Sequence, residues 1–182
     1  MSYTVRPVEE RDLEAIRNWR MDPDITRYMN TDPKLTPEVQ KKWFAKIRED
    51  RDVRYWIIEV DGIPVGVINL TGLTRPDGVL GWAYYVGEKK QRSMKLALSL
   101  EMSLYDYIFD QLKKQALVGD VFTLNKGVIA LHKMCGSQIL EEKKHHVCKN
   151  NVWYDVTFIG ITAEEWNKVR PMKKYEKIDF GA

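Results

Sequence analysis

Hydrophobic and polar positions in this chain change period several times, and each change marks an element. Tyr3 to Val8 alternates as a short strand, whereas Leu13, Ile16 and Trp19 recur at helical spacing within residues 11–20. Met21-Asp22-Pro23 ends that helix, because the residue before a proline is pushed out of the helical region. Asp24 to Met29 fits a second short helix. Thr36 before Pro37 reads as an N-cap with proline in the first turn, which predicts a helix to about Glu49. Arg54–Val60 and Ile63–Leu70 then read as strands joined by the two-residue turn Asp61-Gly62. Arg75-Pro76-Asp77-Gly78 turns the chain into a third strand, Val79–Val86.

Past the charged turn Glu88–Arg92 comes the clearest helix. Ala97, Leu100, Leu104, Ile108 and Leu112 lie three or four apart, with Leu98, Met102, Tyr105 and Phe109 alongside. A stripe that wide implies burial against a sheet. Leu117–Phe122 is a further strand, leading through Asn125 into a short helix that ends at Gly136. Ile139–Val147 and Trp153–Ile161 flank Lys149-Asn150-Asn151 as a second hairpin, and Thr162 caps a last helix, Ala163–Val169. The order β-α-α-β-β-β-α-β-α-β-β predicts an α/β sandwich on a mixed sheet. Residues 1–170 read as one domain. Residues 171–182 read as a charged tail, loose or lying on the surface.

Composition narrows the function classes. With 182 residues the chain suits one domain with a real core. A net charge of +3, spread over short basic clusters interleaved with acids, lacks the footprint of a nucleic-acid binder. No run approaches the roughly 20 apolar residues that span a bilayer. Met1 leads straight into a strand pattern with no visible signal peptide, so the cytoplasm is the expected compartment. Cys135 and Cys148 form no CxxC pair, and the histidines do not gather with carboxylates at ligand spacing. No metal is expected.

Candidate chemistry concentrates between Gly81 and Gly136. A strand, a basic loop and a helix N-terminus together make a seat for an anion, because the first helical turn has unpaired N–H groups at the positive end of the dipole. Arg92-Ser93-Met94-Lys95-Leu96-Ala97 resembles the pyrophosphate loop of the GNAT acyl-CoA N-acyltransferases, Arg/Gln-x-x-Gly-x-Gly/Ala, with Lys95 at the central glycine. Asp120-Val121, Asn125 and Leu131-His132 through Gly136 keep the family's later register, with His132 where tyrosine is usual.

The resemblance covers nearly the whole chain. It implies a GNAT fold: a mixed, mostly antiparallel twisted sheet with helices on both faces. The fourth and fifth strands splay apart, and acyl-CoA lies between residues 82–87 and 119–125. It further implies acetyl-CoA as acyl donor. The donor would be held by Val86, Gly87, Gln91, Arg92, Ser93, Lys95, Ala97 and Asn125, with backbone N–H near Val86 and Gly87 polarising the thioester. Asp120 is the candidate base, through water, and His132 the candidate acid for the departing thiolate; an imidazole ordinarily exchanges its proton near neutral pH. On local grounds Asp120 reads equally as a solvent-facing strand residue and His132 as an exposed helical one. Asn125 also reads as an N-cap. Lys95 either crowds the phosphate or reaches it with its ammonium.

For the acceptor, residues 16–29 contain Trp19-Arg20, Pro23, Ile25 and Tyr28-Met29 in an arrangement similar to the acetyltransferases of pseudaminic acid biosynthesis. Those acetylate the 4-amino group of a UDP-linked 4-amino-4,6-dideoxy sugar. Lys149-Asn150 with Tyr154-Asp155-Val156, and Gly160-Ile161 with Glu164-Glu165-Trp166, add to that likeness. A nucleotide sugar needs aromatic surface and cations, which Tyr28, Met29, Trp43, Trp82, Arg20 and Arg27 offer. Trp19 offers aromatic surface too, but Trp19 and Met29 read equally as core tying the helices to the sheet, and Trp19, at helical spacing from Leu13 and Ile16, is the weaker ligand contact. The expected partners are acyl-CoA and a small amine acceptor, with a homodimer left open. A protein N-terminus, as in ribosomal-protein acetyltransferases, is the alternative acceptor. A non-catalytic acyl-CoA-binding relative is the alternative class.

Overall fold

A computed structural model describes residues 1–181. Among them seven strands form one sheet in the order β1-β2-β3-β4-β5-β7-β6. The strands are β1 (Tyr3–Pro7), β2 (Val53–Val60), β3 (Ile63–Thr71), β4 (Val79–Val86), β5 (Ala116–Phe122), β6 (Gln138–Lys149) and β7 (Val152–Thr162). Every neighbouring pair is antiparallel except β4 and β5. Asp61 and Gly62 both take positive φ, 51° and 77°, as a two-residue turn matched to the strand twist requires.

Alternation along the strands sends side chains to two separate cores. On one face Ile57 and Val67 pack with Ile16, Trp19 and Ile25 of helices α1 (Leu13–Met21) and α2 (Pro23–Thr26), joined by Trp43 of α3 (Pro37–Glu49). Thr36 caps α3 as expected, its hydroxyl accepting from the Val39 N–H. On the other face Trp56, Ile58, Ile68 and Leu70 meet Leu96, Leu100 and Leu104 of α4 (Met94–Asp106), which runs on through a wider turn, Tyr107–Gln111. Leu131 and Cys135 of α5 (Lys126–Cys135) and Trp166 of α6 (Ala163–Val169) complete that layer. No helix among the described residues is long and apolar enough to cross a membrane.

Two features position the site. First, β4 and β5 pair only through Val79↔Ala116 and Leu80↔Leu117. Beyond that point β4 stays with β3 as far as Val86↔Gly66, and β5 with β7 as far as Phe122↔Val156, so the strands splay as expected. The Trp82 indole lies over β5 where Gly119 leaves room, since a Cβ there would sit 2.9 Å from its Nε1. Second, the stretch after Pro171 is not a loose or surface tail. Ile178 and Phe180 are buried, and Phe180 packs edge-on to Trp56 at 5.3 Å and stacks on Tyr107 at 5.9 Å. Charged residues there are interleaved with Tyr175, Ile178 and Phe180, so an extended segment can bury one side and solvate the other.

Candidate active site

A cavity of about 890 Å³ opens where β4 and β5 part, and it runs from the N-terminus of α4 to the α1–α3 region. At the first end Ser93 caps α4, its Oγ accepting from the Leu96 N–H at 3.1 Å. The N–H groups of Met94 and Lys95 have no partner among the described residues and remain free for an anion. Arg92, Ser93 and Ala97 line this end. The Arg92 Nε donates to the Val86 carbonyl at 2.9 Å, which aims the guanidinium across the gap, and no carboxylate pairs with it among the described residues.

Two expectations at this end change. Lys95 neither crowds nor reaches the anion seat, because its ammonium turns to Glu176 at 2.8 Å and lies 5.4 Å over the Tyr3 ring. Its side chain thus leaves the backbone of the first turn open where the family uses glycine. Gln91, in the short turn before Arg92, likewise lies off the cavity wall.

Gly87 is not a carbonyl-polarising group, for its N–H is already committed to the Val65 carbonyl at 2.7 Å. Its missing side chain serves packing instead, since a Cβ would fall inside the Trp19 ring. Successive N–H groups of a strand point to opposite edges, so Val86 directs its own toward the gap. Asn125 also departs from expectation. It stands at the N-cap of α5, yet its side chain caps nothing, and it lines the cavity instead.

Behind the cavity wall, against His132, lies a buried acid that local pattern does not mark as functional. His132 is 5% exposed rather than at the solvent rim, and its Nδ1 sits 2.9 and 3.0 Å from the two carboxylate oxygens of Glu101. Glu101, wholly buried on α4, also accepts from the Tyr105 hydroxyl, which lies 2.8 Å from Ser137 Oγ. Trp82 lines the cavity and meets the imidazole at 4.7 Å, so its ring backs His132. A lone carboxylate amid Leu98, Leu100, Met102 and Leu104 was the available signal. Burial, then Glu101, pushes the Cys135 thiol well up, so this cysteine stays an inert thiol. Burial likewise keeps the Tyr84 and Tyr105 phenols protonated. Asp120 is exposed on β5 and lines the same cavity.

Arg20, Tyr28, Met29 and Trp43 gather at the other end of the cavity, in the α1–α3 region expected to take the acceptor. Arg20 contacts the Met29 sulfur and also lines a neighbouring cavity of about 440 Å³ with Arg27, Asp32 and Lys149. The Arg27 guanidinium lies 4.7 Å over the Tyr28 ring. Lys149, buried on β6, donates to the Thr26 carbonyl at 2.6 Å and pairs with Asp32 at 2.8 Å. Lys149 first, then Thr26 and Asn150, hold the Asp32 carboxyl at about 2. Trp19 is core, its indole N–H donating to Glu88 at 2.8 Å.

Residues 3–138 match the family profile described as an acetyltransferase (GNAT) domain. The chain belongs to the GNAT acetyltransferase family. Acetyltransferase PseH of Campylobacter jejuni (strain 81-176) is 25% identical over 143 residues, 78% of this chain and 87% of the relative. The SPbeta prophage-derived uncharacterized N-acetyltransferase YokL of Bacillus subtilis is 23% identical over 167 residues, 91% and 92% of the two chains. Among solved structures, spermidine N-acetyltransferase from Vibrio cholerae in complex with CoA and spermine superposes with a TM-score of 0.84 at 19% identity, covering 91% of this chain and 98% of that one. The acetyltransferase therefore uses acetyl-CoA to acylate an amine. No group of three His, Cys, Asp or Glu side chains among its described residues could hold a metal ion.

Proposed function

We propose that the acceptor is the amino group of a nucleotide-linked amino-deoxy sugar. One observation carries the reading: the acceptor end of the cavity is aromatic and cationic, and its carboxylates are already paired. Asp24 pairs with Lys89 and Asp32 with Lys149, whereas Arg20 has no carboxylate partner among the described residues and faces both cavities. A polycation would find few free anions there. A nucleotide sugar would find rings for its base and guanidinium groups for its diphosphate. The similarity of residues 16–29 to the pseudaminic acid acetyltransferases and the likeness to acetyltransferase PseH support the same class.

In this reading the CoA pyrophosphate rests on the first turn of α4 and on Arg92, the pantetheine arm passes Asn125, and the Val86 N–H polarises the thioester carbonyl. Asp120 takes the proton of the attacking ammonium through water, and the tetrahedral intermediate collapses as His132 gives a proton to the CoA sulfur. The cytoplasm, where acetyl-CoA is available, is the assigned compartment.

Acetyl-CoA turnover should be compared across a UDP- or dTDP-linked 4-amino sugar, the free amino sugar, a peptide N-terminus and spermidine. The nucleotide sugar should be acetylated far faster than the free sugar, because remote contacts position the amine. Equal rates for the two sugars would remove the nucleotide from the account, and preference for the peptide or spermidine would replace the acceptor class.

A further inference from the structure

Behind His132 on the cavity wall lies an ionisable group that the acid–base assignments leave unused. Glu101 is wholly buried, and among the described residues no lysine or arginine forms an ion pair with it. A carboxylate in that position is expensive unless it is hydrogen-bonded and balanced by charge. Its partners are few and fixed: the Tyr105 hydroxyl on its own helix, and Nδ1 of His132 on α5, which approaches both oxygens. The remaining titratable groups acting on this cluster are Tyr84 on β4, Cys135 on α5 and, beyond Cys135, Lys173, whose ammonium donates to the Met134 carbonyl at 2.7 Å. None of these pairs with the carboxylate. The imidazole is therefore the only basic side chain in contact with the acid among the described residues.

We infer that Glu101 is the positioning residue of the acyl transfer, holding His132 with its proton-bearing Nδ1 on the carboxylate and its Nε2 toward the cavity. The inference rests on the proposed role of His132 as proton donor. Ser137 fixes Tyr105, Tyr105 fixes Glu101, and Trp82 packs against the imidazole, so the ring has one orientation. Nε2 has no hydrogen-bond partner among the described residues, and the residue lines the cavity, which leaves that nitrogen for the reacting atoms. In the step itself the carbon–sulfur bond breaks, the electron pair goes to sulfur, and the Nε2 proton follows it. Neutral His132 keeps its Nδ1 proton on Glu101 and regains the Nε2 proton from the surplus one on the new amide nitrogen. The carboxylate ends the cycle unchanged. A histidine thus does from a buried, oriented position what a phenol does in the family pattern, and the acid on the neighbouring helix is the added part.

Three measurements test this. E101Q preserves size and removes the charge; it should lower kcat at least about tenfold, within the range general acid catalysis supplies, and leave both KM values within about twofold. In the H132A background E101Q should have no further effect, since the two act as one unit. On the unmodified enzyme, 15N spectra of labelled histidine, with His132 assigned by its loss in H132A, should show Nδ1 carrying a proton in the neutral ring. A neutral His132 with bare Nδ1 overturns the inference even if E101Q fails to fold. A crippled H132A beside an E101Q of unchanged kcat overturns the inference alone, whereas an H132A of unchanged kcat overturns the proton-donor reading beneath it.

Discussion

Arg92 illustrates how one side chain serves two groups. Its Nε is satisfied by the Val86 carbonyl at 2.9 Å, so the remaining guanidinium donors stay in the cavity mouth at the first turn of α4. R92E reverses that charge without touching the core. A charge-assisted hydrogen bond contributes about 1.5–3 kcal/mol, so CoA affinity measured by calorimetry should fall by about tenfold to hundredfold. The melting temperature should stay near that of the unmodified protein. Unchanged affinity would move the pyrophosphate seat elsewhere.

At the scale of elements, the proposed acceptor region is fastened to the sheet's far hairpin. Lys149 on β6 joins Thr26 in α2 to Asp32 in the following loop, and Asn150 adds a bond to Asp32 at 2.7 Å. Asp32 is held at about 2, below its ordinary 3.8, so the latch contributes stability fully above pH 3.8 and loses it as the pH falls toward 2. D32N should abolish that part of the acid sensitivity in melts followed between those values. At neutral pH it leaves the buried ammonium without a carboxylate to balance its charge, loosening the loop that bears Tyr28 and Met29. The apparent constant for the acceptor should then rise several-fold with CoA affinity unchanged. A D32N protein with the wild-type acceptor constant would disconnect the latch from the site.

Over the whole molecule, the last described residues close the core beneath α4. Phe180 sits between Trp56 and Tyr107, the Ile178 N–H donates to Ser103 Oγ at 2.9 Å, and Tyr175 donates to Asp106 at 2.6 Å. The same segment holds Lys95 through Glu176, so it braces the first turn of α4. F180A should cost about 3–5 kcal/mol in denaturant unfolding, as a buried phenylalanine does. A loss below about 1 kcal/mol would mean that the segment only covers the surface.

Local pattern by itself determined most of the elements. The helical stripe from Ala97, the Thr36-Pro37 start and the Asp61-Gly62 turn are properties of neighbouring residues, and each forms where its spacing says. The order of elements and the loop around Arg92 also pointed to the cavity end that Arg92, Ser93 and Ala97 line, since a helix entrance and its basic turn are contiguous in the chain. Only the tertiary structure decided the rest. Lys95 turns away because Glu176, 81 positions later, is within reach. Gly87 spends its N–H on Val65 because β3 lies beside it. Asn125 faces the cavity instead of capping. Glu101 and His132 are 31 residues apart on two helices and meet only when both pack on the sheet. Spacing within a segment is fixed by local geometry, but pairing across segments depends on how the faces close, and the proposed chemistry rests on those pairings.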